Sequence, residues 1–168
     1  MKECSTYLFE DDGSIPNNPN LPLLVYLDAL DPGQRGAETC KHLLEDNGWR
    51  NAWVNGIYSY HHYHSTTHEV LAVISGSAKV KMGGDKGEEI SISEGDVIVI
   101  PAGVGHCRLS SSDDFQVVGA YPGGRSYDLC TGKKSERPQV LENIKNVPLP
   151  EQDPVTGEKE PLYKYWEN

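Results

Sequence analysis

From Trp49 to Tyr121 the sequence changes sides every second residue, and a chain patterned in this way buries a core as sheet. Residues 56–64 and 68–75 read as strands separated by Ser65, Thr66 and Thr67. Residues 77–82 and 89–93 flank Gly83-Gly84-Asp85-Lys86-Gly87, a hairpin turn. Residues 96–100 are continuously apolar after Asp96, which marks a strand buried on both faces. Residues 106–110 and 115–121 complete the set around a turn at 111–114. Short strands at this spacing predict a sandwich or barrel, and 17 glycines and 11 prolines suit its many turns.

Ahead of this region, residues 6–10 and 23–30 read as two further strands joined by a loop punctuated by Pro16, Pro19 and Pro22. Asp31 and Pro32 offer an N-cap and a first-turn proline for one short helix. Its apolar face is Ala37, Cys40, Leu43 and Leu44, and Asn47-Gly48 stops it. Beyond the barrel, residues 139–146 predict a short helix. Residues 148–161 are proline-rich and charged, and the acids from Asp153 to Glu160 read as a solvated face. Tyr163, Tyr165 and Trp166 imply a tail anchored to the body. With 168 residues the expectation is one domain spanning 1–168. Its barrel core is expected over 54–122, a strand-and-helix extension over 1–53, and a wrapping tail over 123–168.

A formal net charge of −10 speaks against nucleic acid and anionic membrane surfaces as partners and leaves small molecules. Cys4, Cys40, Cys107 and Cys130 are scattered, with no spacing that suggests a disulfide framework or a thiolate zinc site. No apolar run suits a signal peptide or a bilayer span, so a cytoplasmic setting is the expectation.

Five of the six histidines lie between Tyr60 and His68 or at His106. On a strand, His62 and His64 share a face with Tyr58 and Tyr60, which makes that face the barrel interior. Glu69 follows on the next strand, with Leu71 and Val73 on its face, and His106 arrives from a distant strand. Three imidazoles and a carboxylate suit one divalent transition metal (iron, manganese, zinc or nickel) and leave coordination positions open for substrate. His61 and His68 have the opposite parity and are expected at the surface or behind the ligands. Arg108 has the parity of His106 and could hold a carboxylate or phosphate, against a rim salt bridge as the plain alternative. Tyr60 could shuttle a proton, against simple filling of the barrel. Cys107 reads as a core thiol, and Trp49 and Trp53 as closing one end of the barrel or facing a partner subunit.

These positions carry a family resemblance. Gly56, His62, His64, Glu69 and Gly76, followed by Gly95, Pro101, Gly103 and His106, resemble the two motifs of the cupin superfamily. Ser110 departs from the pattern where the second motif ends in asparagine, a position that does not bind metal. The wider sequence, with PNNPNLPLLVY near its start and VVGAYPGG before the tail, is similar to a bacterial group of small cupins without assigned activity. The resemblance implies an all-β fold, a double-stranded β-helix or jelly roll, with His62, His64, Glu69 and His106 on one metal. It also implies a homodimer, with residues 6–10 as a candidate exchanged arm. For function it leaves two readings open. One is an enzyme acting on a small polar molecule, as a dioxygenase or a metal-assisted isomerase or lyase. The other is a non-enzymatic binder of a small ligand or metal.

Overall fold

The structure is a computed structural model and describes residues 3–167. Among them, antiparallel strands form two sheets. The larger takes up β1 (Glu3–Tyr7), β2 (Leu23–Leu27), β7 (Val97–Ile100), β4 (Glu69–Ser75), β9 (Gln116–Pro122) and β3 (Trp49–Asn55), in that spatial order. The smaller is β6 (Glu88–Ser93), β5 (Ser77–Met82) and β8 (His106–Ser111), with the predicted glycine-rich hairpin joining β5 to β6. This is the double-stranded β-helix that the family resemblance implied.

The buried residues fall on the two faces of the larger sheet. Leu23, Val25, Leu71, Val73, Ile98, Ile100 and Val117 point inward and meet Val80, Met82, Ile90 and Ile92 of the smaller sheet. On the outer face, Leu24, Tyr26, Val70, Ala72, Val97, Val99, Val118 and Ala120 pack beneath Cys40 and Leu44 of helix α1 (Ala37–Asp46) and beneath Leu162 and Trp166 of the tail. The larger sheet is therefore a middle layer. That explains why β4 and β7 are apolar at consecutive positions while β5 and β6, solvated on one face, alternate.

Several boundaries differ from expectation. The first strand is Glu3–Tyr7 and pairs with β2 of the same chain, not 6–10. The next ends at Leu27, because Asp28 turns the chain at a φ of 50°. Asp31 and Pro32 begin a separate 3-10 turn, Pro32–Gln34, and Gly36 is the N-cap of α1. Both β2 and β3 belong to the large sheet, so the barrel recruits strands ahead of residue 54.

The largest correction concerns residues 56–64. The strand there ends at Asn55, having begun at Trp49 and bulged against β9 at Asn51, whose φ is 60°. Residues 56–68 then run across the barrel as a loop, joined to it by single bridges at His62 with His106 and at Tyr63 with Cys130.

The tail is held by buried polar contacts. The Trp166 indole N–H donates to the Pro22 carbonyl at 2.8 Å, and that of Trp49 to Gln152 at 2.9 Å. Asp153 is wholly buried, contrary to the solvated face expected there. Its carboxylate accepts the Tyr26 hydroxyl at 2.7 Å and the Val155 and Thr156 amides at 2.8 and 3.0 Å. The predicted helix forms as α2 (Gln139–Lys145), and a single turn, α3 (Leu162–Tyr165), precedes Trp166. Among the described residues no helix is long and apolar enough to cross a membrane.

Candidate metal centre

Glu69 opens β4 and His106 opens β8, so both stand where the sheets meet the crossing loop. That loop is clamped to β8 and to the turn before it. The His62 and His106 backbones exchange hydrogen bonds at 3.2 and 2.9 Å, and the Gly103 amide donates to the His64 carbonyl at 2.8 Å. Gly103 has a φ of 92°, and a Cβ there would lie 2.5 Å from the Asn17 carbonyl oxygen, so the turn requires glycine. The two motif segments are thus one hydrogen-bonded unit.

Three ring nitrogens, one each from His62, His64 and His106, come within 4.8 Å of one another. Oε1 of Glu69 lies 3.4 Å from Nε2 of His64 and 3.3 Å from Nε2 of His106. All four side chains are buried. Each imidazole is oriented through its other nitrogen. Nδ1 of His62 faces the Tyr60 carbonyl at 2.9 Å, that of His106 the Val104 carbonyl at 3.1 Å, and that of His64 the Asp128 carbonyl. A carbonyl accepts only, so Nδ1 carries the hydrogen and Nε2 of the neutral ring turns a lone pair to the centre.

Glu69 Oε1 sits close enough to these rings for charge attraction, yet it has no hydrogen-bond partner. Three nitrogen lone pairs and an unsatisfied carboxylate oxygen converging in a buried space fit a cation, and the donor set suits a mid-series divalent metal. Burial and the neighbouring His106 depress His62 to about 3. Burial also opposes charge on His64, but Glu69 outweighs it and pushes this group up. The Glu69 carboxyl, despite its burial, is held well below the usual range by His64 and His106.

Residues 125–130 cross over this centre as a strap. The Asp128 carboxylate accepts the Ser65 amide at 2.7 Å and the Ser65 hydroxyl, while its carbonyl holds His64. Arg125 donates to the Thr66 carbonyl at 3.1 Å, and the Thr66 hydroxyl donates to Ser126 at 3.1 Å. Tyr127 stacks on Tyr121, with centroids 4.8 Å apart, and meets the His64 ring edge-on at 5.2 Å. The histidine cluster opens into a cavity of about 820 Å³, walled by Trp53, Arg108, Tyr121, Tyr127 and Leu129 among others.

The model of the cupin domain matches residues 52–118. The uncharacterized protein YjlB of Bacillus subtilis (strain 168) is 48% identical over 165 residues, which cover 98% of each chain. The chain belongs to the cupin family. Solved structures similar to this cupin include acireductone dioxygenase from Bacillus anthracis, at 18% identity and a TM-score of 0.41 over 62% of this chain and 79% of that one. Another is the TDP-fucose-3,4-ketoisomerase WlaRA from Campylobacter jejuni, at 11% identity and a TM-score of 0.38 over 48% and 63%. Both likenesses are too weak to bear on activity.

The cupin barrel brings together His62, His64, Glu69 and His106 as expected, although no strand carries the first two. Tyr58 and Tyr60 do not share that interior position. The two residues are 54% and 43% exposed and their rings stack on each other at 5.0 Å, because a loop has no two-residue alternation to turn them inward. Tyr60 touches the cluster through its carbonyl, which orients His62, and its ring lies against His62 from the rim. Arg108 lines the cavity.

His61 is half-buried and lies 2.9 Å from Asp85. His68 is completely buried, not at the surface. Its Nδ1 accepts the Ala102 amide at 2.9 Å and its Nε2 faces the Pro148 carbonyl at 3.2 Å, so it ties the second motif to the tail. Cys107 is buried, as a core thiol should be. Trp49 lies under the tail, whereas Trp53 walls the cavity and donates its indole N–H to the Tyr121 hydroxyl at 2.8 Å. Tyr121, Tyr127 and Asp128 went unread in the sequence. Tyr121 was detectable, since it has the inward parity of Val117 on its strand. Nothing local marks Asp128, whose role arises where the strap meets a segment more than sixty residues earlier.

Proposed function

We propose that this cupin holds one divalent transition metal (iron, manganese, zinc or nickel) on His62, His64, Glu69 and His106 and is an enzyme acting on a small polar molecule. The reaction is of dioxygenase type or a metal-assisted isomerisation or lyase reaction. The observation that carries the reading is the unsatisfied Glu69 oxygen among three inward lone pairs, beside a cavity large enough for a small molecule. When bound, iron supplies oxygen chemistry, whereas the other metals supply a Lewis acid that polarises a carbonyl or hydroxyl.

The protein's own groups do the rest. Carbonyls at residues 60, 104 and 128 fix the imidazoles, so the cluster does not reorganise on binding. Burial by the strap excludes water from one side. Arg108 offers the cavity a fixed positive charge for an anionic group of the ligand. Tyr60 stays a candidate for proton transfer from the rim, through its exposed hydroxyl.

Elemental analysis of protein purified without chelator tests the central claim. The expected result is about one metal per chain, lost in His64→Ala. Metal-free wild type, or a His64→Ala variant that takes up metal as before, overturns it. Oxygen uptake by the iron-loaded protein with a candidate substrate separates an oxygenase from a binder, and tight ligand binding without turnover across a substrate panel favours the binder.

A further inference from the structure

Among the described residues, Arg108 is the one arginine or lysine that lines the cavity, and its surroundings define what it can meet. It follows His106 by two residues on β8, so the two side chains share a face and their Cα atoms are about 6.6 Å apart along the strand. Opposite them in register lie Val80 and Met82, both wholly buried between the sheets. The Arg108 Nε–H donates to the Ile57 carbonyl at 3.0 Å, and its backbone amide donates to Tyr58 at 2.9 Å. These contacts fix the guanidinium plane and leave its terminal edge. Among the described residues no carboxylate lies within ion-pairing distance of it. A half-buried guanidinium on an apolar wall is costly without an anion.

The charge balance limits that anion. Glu69 and Asp113 line the same cavity, and no lysine does. One guanidinium in such company balances a single negative charge, which suits a carboxylate and disfavours a doubly charged phosphate ester. Beside the polar Asn55, Ser111 and Ser112, the wall carries a flat apolar patch. Tyr121 and Tyr127 stack within 21° of parallel, and the Trp53 ring fills the space a Cβ at Gly119 would take. Leu129, 47% exposed, borders the opening.

We propose that the cavity binds a small amphipathic carboxylic acid. Its carboxylate pairs with Arg108, a neighbouring carbonyl or hydroxyl oxygen reaches the histidine cluster, and a planar or branched apolar body lies against Trp53, Tyr121, Tyr127 and Leu129. Only the second of these contacts rests on the metal reading. The two binding centres stand two strand residues apart, which suits a 2-oxo or hydroxy acid better than a long-chain ligand.

Calorimetry on the purified full-length protein, with metal content measured on the same sample, tests this. The probes are phenylpyruvate, its methyl ester, pyruvate and phenyl phosphate. Phenylpyruvate is expected to bind, with the neutral ester, the bodiless pyruvate and the phosphate each weaker by roughly tenfold or more, the worth of one charge-assisted or apolar contact. Arg108→Gln should weaken phenylpyruvate by a similar factor while leaving metal content and ester binding unchanged. Arg108→Lys, which keeps the charge without the fork, should fall between and serves if the glutamine variant does not fold. An ester or phosphate that binds as well as the acid, an Arg108→Gln variant that binds phenylpyruvate like wild type, or no phenylpyruvate binding at all overturns the proposal. Phenylpyruvate binding by protein that holds no metal would overturn the metal reading and uphold this one.

Discussion

Each imidazole of the cluster is held by one backbone carbonyl, and for His64 that carbonyl belongs to Asp128, whose side chain is bonded to Ser65. The carboxylate is therefore a positioning group: it holds the strap whose carbonyl orients His64, and would reach a metal bound there through those intermediaries. Asp128→Ala should lower metal affinity by about 10- to 100-fold, measured by competition with a chromogenic chelator. Asp128→Asn, whose amide oxygen still accepts the Ser65 amide, should recover part of the loss. Affinity unchanged in the alanine variant would mean that the strap keeps its place without the carboxylate. The four inward residues were legible in the sequence because spacing and residue type both mark them. Asp128 was not, since a carbonyl acceptor has no side-chain signature.

Among the elements, the pairing of β2 with the tail carries the outer layer. Tyr26 emerges from the outer face of β2 and donates to Asp153, which also caps the turn at Val155 and Thr156. Asp153→Ala strands the buried Tyr26 hydroxyl and removes the acceptor of two partly exposed amides, and should cost about 2 kcal/mol, read as a lowered midpoint in urea. Strand identity was legible wherever one face is wet, as in β5 and β6, or where both faces are dry, as in β7. It failed at residues 56–64, where aromatic and histidine residues alternate in a loop. The alternation there meets a ligand-sized space and not a sheet partner, so period alone misassigned the backbone while placing His62 and His64 correctly together.

At the scale of the whole molecule, 25 acidic against 15 basic residues leave a net charge of −10 that the fold must confine. The ion pairs of Arg35 with Asp28 and Glu94, and of Arg137 with Asp11, attract locally but leave that net charge unchanged. Self-repulsion of that kind destabilises the compact state and is screened by salt. Raising sodium chloride from about 10 mM to about 150 mM, which shortens the Debye length from about 30 Å to about 8 Å, should raise the thermal midpoint. A midpoint that falls would show that the ion pairs outweigh the repulsion.

By itself the sequence determined the sheet-dominated core, the hairpin at residues 83–87, helix α1 and the four inward-facing residues, because hydrophobic period and motif spacing are local properties of a chain. The tertiary structure alone decided the burial of Asp153 and His68, the strap on His64, the exposure of Tyr58 and Tyr60, and the unpaired edge of Arg108. Those depend on which distant segments meet, and a side chain's partners across the barrel leave no trace in the residues beside it.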